Sequence, residues 1–246
     1  MPPRKQNLVI DSSGMPLFWR IVDKLSMGIE PEKSEWDSLF ASRGYKSILH
    51  EFTPEFLKRN YRDAFKPSKE NEKITPNRFV KHYQQVKEKR VEIDKWVTGF
   101  EKNTRQIKDA DERAKEWLPR EPGKEVIIAF AVFDNDARGY DTIVLDPLFA
   151  QNLGQDVYGM LAHEIFHFYS RDLLVLDTSC FNGVDLDIIW AIKQLQEEGI
   201  ADHIYAIPYP GRQEDIENSP HIIRELNTVL EKLSSTSTLE GLSNEV

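Results

Sequence analysis

Residues 158–170 read YGMLAHEIFHFYS, which places His163 and His167 four positions apart with Glu164 directly after the first. On an α-helix, positions i and i+4 lie one above the other. Both imidazoles can therefore reach one ion at about 2.0–2.1 Å per nitrogen, the distance Zn²⁺ takes. Zinc brings the pKa of a bound water to about 7, and a carboxylate beside the first histidine can accept that water's proton. The chemistry on offer is metal-assisted hydrolysis with Glu164 as general base. The competing reading is an amphipathic helix that happens to carry histidines, because His-Glu-x-x-His arises by chance on the order of one time in a hundred chains of this length. Local pattern favours the first reading. Leu161, Ile165 and Phe168 form an apolar back, and the polar front carries two imidazoles where a surface helix would carry lysines and glutamates.

Two ligands do not make a catalytic zinc site, which needs a third protein ligand and an open position for water. Residues 190–207, WAIKQLQEEGIADHIYAI, offer Glu197 and Glu198. Read as a helix, Ile188, Ala191 and Leu195 form an inward stripe that continues to Glu198, Asp202 and Tyr205, whereas Glu197 follows Lys193 and Gln194 to the wetter side. Acids that interrupt an apolar stripe are costly unless they find partners. Zinc would satisfy Glu198, and Asp202, one turn on, could accept a hydrogen bond from the far nitrogen of a ligand histidine, fixing its tautomer.

The pair HEIFH and EEGIAD resembles the gluzincin class of zinc peptidases, whose pattern is His-Glu-x-x-His on one helix and Glu-x-x-x-Asp on a later one. The nearest resemblance is to an uncharacterised bacterial group of zinc-dependent peptidases. It implies His163, His167 and Glu198 as ligands of one Zn²⁺, Glu164 as base and Asp202 as its supporting carboxylate. It further implies a zincin-like core in which an edge strand receives peptide by strand addition. The resemblance is specific over about residues 156–206. A Gly-Ala-Met-Glu-Asn exopeptidase segment is missing, and no residue stands out as oxyanion stabiliser, with His203, Tyr205, Tyr209 and His221 all open. Two rivals remain: a zinc-binding scaffold or peptide-binding protein without catalysis, and an iron(II) oxygenase using two histidines and a carboxylate.

The elements that must position these residues are mostly helical. Pattern predicts helices from DSSGMPLFWRIVDKLSMG, from PEKSEWDSLFASRG ending at Gly44, and from the Thr-Pro starts at Thr53 and Thr75. From Phe79, a seven-residue recurrence through Val86, Ile93, Phe100, Ile107 and Ala114 predicts one long helix, or two broken near Thr98-Gly99. The stripe is expected to pack on the chain's own helices. EVIIAFAVF and YDTIVLD flank the turn-like DNDARG and read as a strand pair. Helices follow at about 156–174 and 184–206, then a loop, a closing helix HIIRELNTVLEKL and a disordered tail.

The expected fold is α+β and mostly helical. A small antiparallel sheet lies beside the active-site helix, after an all-helical first half. The expected divisions are 1–120, 121–235 and a tail at 236–246, with the first two forming one continuous unit.

Composition narrows the classes further. The chain has 246 residues, a net charge of −9 and 40% hydrophobic residues, which argues for a folded globule and against bulk attraction to nucleic acid or anionic membrane. A lone Cys180 excludes an internal disulfide. The expected partner is a peptide or protein substrate, with no nucleic acid and no membrane, in the cytoplasm. Oligomeric state is open.

Overall fold

The computed structural model describes residues 8–67, 76–175 and 183–206. Cys180, the loops at 176–182 and 207–220, the closing helix, the tail, Thr75, Tyr209 and His221 lie outside the described residues.

The architecture is mostly helical with one small sheet. A strand, β1 (Leu8–Asp11), precedes helices α1 (Gly14–Ser26), α2 (Lys33–Ala41), α3 (Arg43–Ile48), α4 (Pro54–Phe65), α5 (Arg78–Glu88), α6 (Arg90–Lys102) and α7 (Thr104–Lys115). Then come β2 (Val126–Phe130), β3 (Ala137–Gly139), β4 (Ile143–Leu145), α8 (Pro147–Leu153), α9 (Val157–Leu173) and α10 (Gly183–Ala206).

The sheet corrects the expected one. Its order is β1-β2-β4-β3, with β1–β2 and β2–β4 parallel and only β3–β4 antiparallel. EVIIAFAVF and DTIVLD therefore do not form a hairpin. They lie side by side in the same direction, and the edge strand falls within the segment that reads as a turn. Residues Val126, Ile128, Ala129, Phe130 and all of β4 are buried, the continuous apolar run expected of strands covered on both faces. The first half is not all-helical either. LVID is too short to show a period, and parallel pairing with β2 makes it a strand.

Several helix ends follow local chemistry. Thr53 accepts a hydrogen bond from the Phe56 N–H, with Pro54 at the first helical position, as its sequence predicts. At the next start Asn77, rather than Thr75, caps α5 through the Val80 N–H. The recurrence from Phe79 becomes three helices that break at Lys89 and Asn103, not at Thr98-Gly99. Its stripe is buried within the chain, with Val86, Ile93, Phe100, Ile107 and Ala114 all at 3% exposure or less. Gly44 does not end a helix. It lies inside α3, where a Cβ would stand 2.6 Å from the Phe130 carbonyl oxygen, so its missing side chain lets the helix press against β2.

One hydrophobic core runs through both halves of the chain. Three buried tyrosines from the helical half clamp the segment that leaves β2. Tyr61 donates to the Val132 carbonyl, Tyr83 donates to the Phe133 carbonyl at 2.8 Å, and Tyr45 accepts from the Val132 N–H at 3.2 Å. Asp146 completes the clamp: it accepts from Phe133 N–H at 3.0 Å, contacts His82 Nε2 at 2.8 Å and caps α8. Desolvation raises the pKa of all three tyrosines above the ordinary value, so they remain protonated.

Candidate metal centre

Helix α9 carries the first half of the site and is seated by its apolar back, since Leu161, Ile165 and Phe168 are all buried. On α7, Asp111 accepts from the Tyr169 hydroxyl at 2.8 Å and from Lys115 Nζ at 2.5 Å, all three side chains being nearly solvent-free. Phe100 stacks on Tyr158 at 5.8 Å. Helix α10 crosses α9 at Gly159, where a Cβ would meet the Tyr205 ring at 2.5 Å. That close approach brings the second half of the site within reach of the first, and it packs the buried Tyr205 ring against α9.

The convergence is direct. His163 Nε2 and His167 Nε2 are 3.1 Å apart. Glu198 Oε2 stands 3.3 Å from His167 Nε2 and 3.7 Å from His163 Nε2. A tetrahedral ion with bonds of 2.0–2.2 Å would set its ligand atoms about 3.3–3.6 Å apart. The observed triangle brackets that separation, so one atom from each of His163, His167 and Glu198 could hold a metal ion.

Asp202 Oδ1 lies 3.4 Å from His163 Nδ1, on the far side of the ring from this triangle. The distance is long for a hydrogen bond, and Nδ1 has no well-aligned acceptor.

The inward stripe read along α10 is partly wrong. Leu195 is 60% exposed and Ala191 is also exposed, whereas the Glu197 side chain is only 13% exposed and pairs with Lys193 at 2.6 Å. Helix α10 is apolar on two sides, so the sequence cannot say which one turns inward. Glu198, with a 46% exposed side chain, reaches the histidines from the border of the buried face.

Electrostatics separate the two histidines. Burial works against protonating His163, but the Asp202, Glu164 and Glu198 carboxylates outweigh it and its pKa is raised. At His167 burial and repulsion from His163 prevail over Glu198, and its pKa is lowered. Glu164 is 9% exposed. Desolvation first, then Asp136 and Glu198, raise its pKa against the opposing pull of His163 and Arg138.

The site opens into a cleft of about 450 Å³, within the range of small-ligand pockets. One wall is β3 with Asp136, Arg138 and Tyr140, joined by Glu51 from after α3. The floor is the histidine face of α9, and the other wall is Gln194, Glu197 and Glu198. At β3 a Cβ on Gly139 would sit 3.2 Å from Glu164 Oε2, so glycine lets the strand pass directly against that carboxylate. A larger groove of about 660 Å³ lies between α1 and α6, where Arg90 pairs with Asp23, but it holds none of the three converging residues. Sequence reading missed Glu51, Asp136, Arg138, Tyr140 and Arg171 as cleft residues. DARGY has the composition of an ordinary turn, and only tertiary placement brings it to α9.

The fold and this cluster define a mostly helical α+β protein with a candidate mononuclear metal centre borne on two crossing helices. The chain belongs to the family described as "Putative zinc dependent peptidase (DUF5700)", whose model matches residues 36–243. No curated protein and no solved structure matches it. Among the described residues no helix is long and apolar enough to cross a membrane.

Proposed function

We propose that the chain is a zinc metallopeptidase of gluzincin type, in which His163, His167 and Glu198 hold one Zn²⁺, Glu164 is the general base and Asp202 orients His163. The observation that carries this reading is the triangle of two imidazole nitrogens and one carboxylate oxygen, with edges of 3.1, 3.3 and 3.7 Å. The family's description supports the metal and the reaction class. Bound there, zinc would supply a water acidic enough to ionise near neutrality and would polarise the scissile carbonyl.

The chain's own groups do the rest. Glu164, whose pKa burial raises, is a stronger proton acceptor than an exposed carboxylate, so it can take the water's proton and then deliver it to the leaving amine. Asp202 lies where it can hold the His163 ring with Nε2 turned toward the metal. A non-catalytic zinc scaffold would more often close with four protein ligands. Among the described residues three converge, with a buried acid beside them that such a site does not need.

The test is to load the protein with zinc and assay a panel of peptides. Glu164→Gln should keep one zinc per chain and lose hydrolysis by about 10²–10⁴-fold, the usual worth of a general base. His163→Ala should lose both metal and activity. Full hydrolytic rate in Glu164→Gln would overturn the assignment.

A further inference from the structure

β3 is the edge of the sheet that faces the cleft, the place where strand addition is expected, but three of the four outward backbone groups of Ala137 and Gly139 are already engaged. The ladder bonds Tyr140 N–H to Thr142 O and Asp146 N–H to Asp136 O fix the pairing with β4. With the register Arg138↔Val144, they turn the backbone of residues 136, 138 and 140 toward β4 and that of Ala137 and Gly139 outward. Each outward group of Ala137 meets a neighbouring side chain: its N–H donates to Asp136 Oδ1 at 2.8 Å, and its carbonyl accepts from Arg138 at 3.2 Å. The Gly139 carbonyl accepts from the Arg171 guanidinium, which reaches over from α9 and also takes the Tyr140 carbonyl at 2.9 Å. The one outward group that remains is the Gly139 N–H, on the residue that lies against Glu164.

A strand edge covered in this way is protected against pairing with another chain. We infer that the cleft does not receive a long peptide by strand addition, and that Arg171 and Arg138 are specificity-determining residues that restrict it to short peptides or to the last few residues of a chain. A substrate is positioned by its ends and side chains within about 450 Å³, not by a backbone ladder. The inference rests on the peptidase reading above and adds the substrate class.

The experiment measures kcat/KM of zinc-loaded protein on peptides that share one scissile pair and grow from two to ten residues, with both ends of the longest blocked in a parallel sample. Short peptides should be cut, and the blocked decapeptide should be at least roughly tenfold poorer. Arg171→Ala should narrow that gap by roughly tenfold by freeing the outward Gly139 carbonyl for substrate; a thermal melt checks that the variant is folded. Interior cleavage of the blocked decapeptide by wild type at the short-peptide rate would overturn the inference. Binding of the same series to zinc-loaded Glu164→Gln protein measures the length preference without turnover. Length-independent binding, or no binding at any length, sinks the inference. Preference for short peptides without hydrolysis by wild type sustains it and sinks the peptidase reading.

Discussion

Asp111 fastens α9 to α7, and removing its carboxylate measures how firmly. The side chains of Asp111 and Lys115 are 6% and 8% exposed, and Tyr169 is 2% exposed. Asp111→Ala would leave the buried Tyr169 phenol without its acceptor and the buried Lys115 ammonium with only the exposed Glu112 carboxylate, 3.5 Å away. Breaking a buried ion pair by deleting one partner costs about 3–5 kcal/mol, because the remaining charge stays desolvated. The lost Tyr169 hydrogen bond alone would cost about 1 kcal/mol, which Tyr169→Phe measures separately. Urea denaturation at neutral pH reads both. Asp111→Ala/Lys115→Met should recover most of the loss, since no buried charge is left without a partner. A loss below about 1 kcal/mol in Asp111→Ala would show that Lys115 escapes to water or is satisfied by Glu112 alone, and the argument for a buried fastening through Asp111 would fail.

Further outcomes concern the metal centre. Gly159→Ala should drive α10 away from α9, because its Cβ would meet the Tyr205 ring at 2.5 Å and the Tyr205 carbonyl at 3.0 Å. An overpacking cost of about 1–3 kcal/mol should appear in melting, together with weaker zinc binding by titration as Glu198 moves off; unchanged zinc affinity would remove Gly159 from the positioning scheme. Asp202→Asn should lower zinc affinity by about 10–100-fold while leaving the stoichiometry at one, and an unaltered affinity would mean that the 3.4 Å contact does not orient His163. Protons compete with the metal for both imidazoles. With the His163 pKa raised and that of His167 lowered, zinc affinity should begin to fall as pH drops through the higher one and steepen below the lower one. Competition with a chromophoric chelator between pH 8 and 5 checks this, and a flat profile would refute histidine ligation.

The sequence by itself marked His163, Glu164 and His167, because a single helix fixes their mutual placement through its 3.6-residue turn. It also marked Glu198 and Asp202, although the stripe argument that chose Glu198 misplaced Leu195 and Glu197. Period cannot orient a helix such as α10, which offers two apolar sides. Sheet direction and edge were beyond it as well: LVID, ARG and IVL are too short for alternation to show, and the two parallel pairings join residues more than a hundred positions apart or cross an intervening strand. Local periodicity needs only neighbours along the chain, so it survives in the sequence. The meeting of β3, α9 and α10 around one cleft depends on packing between distant segments, and only the folded chain decided it.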